Sequence, residues 1–167
     1  MQNVHTPQLS VIGTLLANPF KYNDISEMIQ PVMFSEEMKI RKAMELIQQY
    51  ERETKAWNKS IIQQKVGWKP KDLLEFIKFS SPKTIVENAQ LVREQYITEK
   101  GSELCFDYIN KVKDIGYQDA YHTLVKSMED LANITPQSKD DRPEVFLQAI
   151  NSIINPSNDK GIQGITT

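Results

Sequence analysis

The chain has 167 residues, of which 40% are hydrophobic and 25% are charged. A chain of this length buries roughly two thirds of its unfolded surface, enough for one core with an appendage but not for two full cores. The 20 basic and 22 acidic side chains leave a net charge of −2, so no overall field attracts a polyanion. Composition therefore disfavours a protein that binds DNA tightly on its own.

The single cysteine, Cys105, has no partner for an internal disulfide, which favours a reducing compartment and an inert, buried thiol. The N-terminus lacks the basic and apolar regions of a signal peptide, and no stretch approaches the ~18 consecutive apolar residues of a membrane span. We therefore expect a cytoplasmic protein with no membrane partner.

Apolar residues recur every three or four positions, and no segment shows a long two-residue alternation, so the sequence predicts an all-α protein. Residues 1–81 are expected to form a compact globular domain of several helices, with the first helix at the centre of its core. The expected helices are one opened by Pro7, a short one near Asn23 to Ile29, one capped by Ser35, one capped by Asn58 that runs through Val66, and one opened by Pro70.

From Pro82 to Ile115 the helical periodicity is almost uninterrupted, which predicts one long helix. Its apolar stripe shifts by roughly a third of a turn near Gly101, so its two halves should face different surfaces. The stripe comprises Ile85, Ala89, Val92 and Tyr96 in the first half, and Leu104, Cys105, Tyr108, Val112 and Ile115 in the second.

Gly116 is placed to end this helix, and Asp119 to start another, so residues 82–134 are predicted to form a long helix and a helical hairpin. Two helices of about 15 residues shield each other incompletely. The remaining apolar surface either meets another subunit or folds back as ordinary core of a monomer, and periodicity favours neither alternative.

Residues 135–167 are expected to be a polar linker with one short helix, 143–154, whose apolar side carries Val145, Phe146 and Ile150. That helix is suited to binding a groove on a domain absent from this chain, or to packing on its own hairpin. The Gly-punctuated tail from Lys160 to Thr167 is typical of a linker that precedes a second domain.

Residues with catalytic chemistry are sparse in the sequence. No stretch reads G-x-x-x-x-G-K-[ST], so no phosphate-binding loop is expected. His5 and His122 are far apart in sequence, and the i, i+3 pair Asp119 and His122 cannot complete a metal coordination shell. We therefore expect a non-catalytic chain without catalytic, cofactor-binding or metal-binding residues, and a helical enzyme built from scattered carboxylates is a minor alternative.

Several segments resemble the N-terminal region of the bacterial replicative DNA helicase, the DnaB family. The opening helix, Pro7 to Leu16, is similar to the family's A-E-Q-S-V-L-G-x-L-L after a proline, with direct matches at Ser10, Val11, Gly13 and Leu15. The remaining similarities are Phe34 before the third helix, Ser81-Pro82, Val86 to Glu94 ahead of the hairpin, and Gly161 to Thr167 at the linker.

This resemblance implies an N-terminal collar, a trimer of dimers above six RecA-like motors, that recruits primase and the helicase loader. Single-stranded DNA, ATP and Mg would be bound only by the motor domain, which lies beyond this chain. By position, the resemblance implies subunit contacts through Leu104, Tyr108, Val112, Leu124, Met128 and Leu131, and docking of a neighbouring motor through Val145, Phe146 and Ile150. The alternative is a free-standing all-α adaptor or replication accessory protein with no motor domain.

Overall fold

A computed structural model describes residues 4–134 of the chain. Over this range it contains seven α-helices and no strand, which confirms the all-α prediction. The predicted helix 143–154, with Val145, Phe146 and Ile150, lies outside the described residues. The helices are α1 (Thr6–Ala17), α2 (Tyr22–Ile25), α3 (Ile40–Arg52), α4 (Lys59–Val66), α5 (Pro70–Lys78), α6 (Ile85–Ile115) and α7 (Tyr117–Ile134).

Contacts divide the chain into two compact units, with the boundary between Tyr96 and Ile97. The first unit comprises α1 to α5 and the initial turns of α6, and the second comprises the rest of α6 and α7. The predicted stripe of the first half of α6 is buried in full. Its members are Ile85, Ala89, Val92 and Tyr96.

Helix α1 is the central element of the first unit. Every residue from Gln8 to Leu16 is buried, so the helix is covered on all sides, as its nearly continuous apolar surface predicts. Even the polar Gln8 has a defined partner, because its Oε1 accepts a hydrogen bond from the backbone N–H of Ser35 at 2.8 Å. The core of the first unit is therefore built around α1.

Gly13 allows α5 to approach α1 closely. A Cβ atom at this position would lie 2.0 Å from the backbone oxygen of Phe76 and 3.3 Å from the backbone nitrogen of Ser80. Real Cβ atoms do not approach a carbonyl oxygen this closely, and the obstacle is backbone, which cannot rotate away as a side chain could. The missing side chain of Gly13 therefore permits a close contact with the C-terminal end of α5.

Two polar residues of α1, Ser10 and Thr14, hold the segment that follows α5. Thr14 Oγ1 donates a hydrogen bond to the Ser10 carbonyl at 2.6 Å and accepts one from the Ser81 N–H at 2.8 Å. One helical turn away, Ser10 Oγ accepts a hydrogen bond from Asn88 Nδ2 at 3.1 Å. These bonds satisfy buried polar groups and fix where α6 begins.

The start of α3 differs from its prediction. Ser35 does not cap α3: its Oγ accepts a hydrogen bond from the N–H of Glu37 at the start of the short 3₁₀ turn Glu37–Lys39, and α3 begins only at Ile40. The cause is the left-handed backbone of Met38 (φ 52°) and Lys39 (φ 59°), which interrupts the helix. Sequence signals of capping could not reveal this interruption.

The boundaries of α4 follow the predicted signals. Asn58 Oδ1 accepts a hydrogen bond from the Ile61 N–H at 3.0 Å, and Gly67 ends the helix with a φ of +82°. Pro70 then occupies the first turn of α5, as predicted. These confirmed caps place the α4–α5 connection at Gly67 to Lys69.

Three other helices differ from their predicted bounds. Helix α2 ends at Ile25, short of the expected Ile29, because the next residues form a turn closed by the Met28 N–H and the Ile25 carbonyl. Helix α6 begins at Ile85 because Pro82–Thr84 forms a 3₁₀ turn. Helix α7 begins at Tyr117, two residues before Asp119.

The Gly13 contact leads to a test of stability. We expect Gly13→Ala to lower the free energy of unfolding by about 3 kcal/mol or more, because the added methyl group meets the Phe76 carbonyl. The matched control is Gly101→Ala, since nothing lies within 4 Å of a Cβ added there. In that helix interior, alanine should raise stability by about 0.5–1 kcal/mol. Urea denaturation followed by circular dichroism measures both, and equal effects would contradict the proposed role of Gly13.

Candidate functional site

Up to Ile134, where the described residues end, the second unit contains the part of α6 from Ile97 onward and α7, which we call the helix pair. Gly116 is the single residue between them, and its φ of +83° lies in the left-handed region that glycine adopts without strain. Its N–H donates to the Val112 carbonyl at 3.2 Å, which caps the end of α6. Glycine is therefore the residue best suited to this sharp connection.

The two helices pack against each other through a small apolar cluster. Leu124 and Met128 of α7 are buried in it, and Leu104, Cys105 and Tyr108 of α6 pack against them. Burial of apolar side chains of this size contributes roughly 1.5–3 kcal/mol each. The cluster therefore holds the helix pair together within one chain.

The six side chains predicted to contact another subunit are therefore not freely exposed. Leu124, Met128 and Leu131 are buried, and Leu104, Tyr108 and Val112 are half-buried. Four of the six, all except Val112 and Leu131, belong to the cluster within the chain. Their role in contacting another subunit stays a prediction.

One side of the helix pair forms a small groove. Its lining includes the mostly apolar side chains of Leu104, Tyr108 and Leu124 and the polar side chains of Asp107, Lys111, Thr123 and Ser127. Asp107 and Lys111 form an ion pair at 3.5 Å. A single carboxylate that is already paired offers no second, convergent acid or base. The groove therefore lacks the paired groups that the minor enzyme alternative requires.

The other side of the helix pair carries several apolar side chains among polar ones. Successive residues of a helix are rotated by 100° about its axis, so the groove residues of α6 and α7 fall on one side of the contact between the two helices. Cys105, Ile109, Tyr121 and Val125 fall on the opposite side. Phe106 borders them, one turn before Ile109. We call these five residues the apolar flank. Phe106 is 70% exposed, and Ile109 and Tyr121 are each more than half exposed.

Sequence reasoning missed Phe106 and Ile109 as candidate contact residues. The apolar residues of α6 that include Leu104 and Tyr108 recur with the spacing of a buried helix face, so periodicity selected the side that faces α7. The available signal was the i, i+3 pair Phe106 and Ile109, which lies outside that stripe. Two large apolar residues on a second face of one helix indicate a second partner.

Burial raises the pKa of the Cys105 thiol above its ordinary value. The side chain is half-buried in the contact between the two helices. A raised pKa lowers the fraction of thiolate, which is the reactive form. Cys105 therefore packs as a small apolar residue.

Residues 4–134 contain no group of three or more His, Cys, Asp or Glu side chains that could hold a metal ion. In the same range, no helix is both long enough and apolar enough to cross a membrane. His122 is exposed on α7, where its ring lies edge-on to Tyr121 with centroids 6.3 Å apart.

No known protein-family model, curated protein or solved structure matches this chain. The resemblance to the DnaB family therefore depends on the sequence segments quoted above. The apolar flank includes Phe106, the most exposed large apolar side chain of the helix pair between Ile97 and Ile134.

The packing of Cys105 can be tested by measuring how fast its thiol is alkylated. We expect iodoacetamide to alkylate the folded protein roughly tenfold more slowly than the urea-unfolded chain at mildly alkaline pH, because burial blocks access and disfavours the thiolate. Mass spectrometry of timed samples gives the rate directly, since the chain has one cysteine. Equal rates in the two states would contradict the packing described for the helix pair.

Proposed function

We propose that this chain is the N-terminal assembly and protein-interaction domain of a hexameric replicative DNA helicase of the DnaB family. In this proposal it dimerises subunits into a collar and recruits primase and the helicase loader during DNA replication in the cytoplasm. The all-α architecture and the sequence of the opening helix, in particular Gly13 at its closest helix contact, support it.

The apolar flank is the observation that carries the subunit contact in this proposal. An exposed set of large apolar side chains on two helices is typical of a protein–protein contact. The flank continues from the cluster that holds the helix pair together, because Cys105 belongs to both. A second copy that packs on the flank would bury Phe106 and Ile109, which nothing in the described chain covers.

The proposal assigns no chemistry to these residues. Nucleotide hydrolysis and contact with single-stranded DNA belong to a motor domain that would follow, with ATP and Mg as its ligands. The chain would act on the enzyme by holding subunits in a fixed arrangement. In this proposal the chain positions the motor domains and takes no part in the reaction itself.

A free-standing all-α adaptor or replication accessory protein is the second candidate, because the apolar flank would suit a partner protein as well as a second copy. The coding sequence beyond codon 167 separates the two candidates. The helicase proposal expects a G-x-x-x-x-G-K-[ST] motif within roughly the next 50 codons, because the motor must bind nucleotide phosphates. A reading frame without it would leave the adaptor as the surviving candidate.

The oligomeric state tests the apolar flank directly. We expect the purified chain to form dimers at high micromolar concentration, and Phe106→Ser with Ile109→Ser to shift it to a monomer. Both side chains are exposed, so their replacement should leave the fold intact. Sedimentation velocity over a range of concentrations measures the mass.

The control for this experiment is Leu91→Ser, which also removes a half-exposed apolar side chain from α6, but outside the helix pair. It should leave the dimer unchanged. A wild-type chain that stays monomeric throughout the concentration range would refute the dimer contact, and a dimer that survives the double substitution would place the contact elsewhere.

A further inference from the structure

One segment of the first unit is strongly basic, although the whole chain has a net charge of −2. The 18 residues from Thr54 to Lys71 contain five lysines and no acidic residue. The lysines are Lys55, Lys59, Lys65, Lys69 and Lys71. This segment covers α4 and the connection to α5, so its charge is concentrated on one part of the surface.

Tertiary contacts add another lysine to this segment. Lys39 Nζ donates a hydrogen bond to the Val66 carbonyl at 3.3 Å, next to Gly67. Trp68 Nε1 donates to the Met38 carbonyl at 2.7 Å and so fixes the start of α3 against the α4–α5 connection. The Lys39 ammonium group is therefore held beside the segment that carries Lys65 and Lys69.

These lysines are exposed, and among the described residues only Lys55 forms an ion pair, with Glu53, while Lys39, Lys59, Lys65, Lys69 and Lys71 form none. Two of the nearby carboxylates have other partners. Glu36 pairs with Arg41 at 2.7 Å, and Asp72 Oδ2 accepts a hydrogen bond from the Lys69 N–H at 3.0 Å. Glu37 and Glu75 remain nearby, but the lysines outnumber them, and the excess positive charge faces solvent.

Helix α5 places an exposed apolar residue among these charges. Lys71, Leu74 and Lys78 follow at i, i+3 and i+7, so they lie on one face of the helix. Leu74 is 61% exposed, although the neighbouring Leu73 and Phe76 are buried. The face therefore presents an apolar centre with an ammonium group about one turn away on each side.

The combination of exposed lysines with one exposed leucine favours a protein partner over a nucleic acid. Sequence-tolerant binding of single strands uses exposed aromatic rings on which bases stack. Trp57 and Trp68 are each only 8% exposed, and their indole N–H groups are bonded to Glu51 and to the backbone of Met38. Neither ring is available for stacking, whereas Leu74 offers an aliphatic contact that suits an apolar side chain.

We propose that Leu74 and the surrounding lysines form a docking surface for an acidic protein segment that carries one apolar anchor. The anchor packs on Leu74, and carboxylates on either side of it pair with the ammonium groups. We call this surface the basic patch, and its residues are Lys39, Lys65, Lys69, Lys71, Leu74 and Lys78. It goes beyond the helicase proposal and does not depend on it, because the patch belongs to the first unit and shares no residue with the apolar flank.

A fluorescent peptide provides the first test. The probe has about twelve residues of Asp, Glu and Ser with one central Phe, and a matched peptide replaces that Phe with Ala. We expect fluorescence anisotropy to give a dissociation constant on the order of 100 µM for the Phe peptide and weaker binding of the Ala peptide. Added salt should weaken binding of the Phe peptide because exposed charges are screened.

Variants of the protein test the location. Lys65→Gln, Lys69→Gln and Lys71→Gln together should weaken binding of the Phe peptide by roughly tenfold. Leu74→Ser should remove the preference for Phe over Ala while retaining the salt dependence. The matched control, Lys83→Gln with Lys113→Gln and Lys126→Gln, removes the same charge from exposed positions outside the patch and should leave affinity unchanged. Thermal unfolding verifies that each variant is folded.

Three outcomes would overturn the proposal. Absence of binding to the Phe peptide at millimolar concentration refutes the docking surface, and equal loss in the control variant shows a non-specific charge effect. Tighter binding of a single-stranded or duplex oligonucleotide, with the same dependence on the patch lysines, would make the surface a nucleic-acid site. None of these results bears on the oligomeric state, so failure here is distinguishable from failure of the helicase proposal.

Discussion

The close contact between α1 and α5 determines how the first unit continues into α6. Because Gly13 has no side chain, the backbone at Phe76 can lie directly against α1, and the chain after α5 then reaches Thr14 and Ser10. Those two hydroxyl groups hold Ser81 and Asn88, which sets the position of the first turns of α6. A helix with no exposed face thus determines where a much longer helix starts, since close-packed interiors transmit displacement rather than absorb it.

Local signals predicted the elements whose boundaries are made by local interactions. Asn58 and Gly67 bound α4 because a side-chain cap and a left-handed glycine act within one turn. The start of α3 could not be predicted in this way, since Met38 and Lys39 adopt left-handed conformations in a segment held by Trp68, thirty residues away in sequence. Such conformations usually cost about 1–3 kcal/mol and persist only where the surroundings enforce them.

The candidate surfaces show a second limit of sequence periodicity. The second half of α6 carries two apolar faces, one with Leu104 and Tyr108 and another with Phe106 and Ile109, and α7 covers only the first. Periodicity identifies a helix face but does not show which face receives a partner. In the same way Leu74 lies in an apolar run of α5 yet is exposed, because Leu73 and Phe76 already fill the core.

The two proposed surfaces rely on different forces, and their responses to solvent follow from that difference. Association through the apolar flank removes hydrocarbon from water, so salts that are excluded from protein surfaces strengthen it. Docking on the basic patch depends on ammonium groups in solvent, and the Debye length of about 8 Å at physiological ionic strength falls further as salt is added. A chain with nearly balanced charges can support both kinds of contact, because the two sets of residues are separate in the sequence. The lysines are concentrated around α4 and the start of α5, and the apolar side chains of the flank belong to the helix pair. One protein can therefore hold subunits together and engage an acidic partner without either contact competing for the same residues.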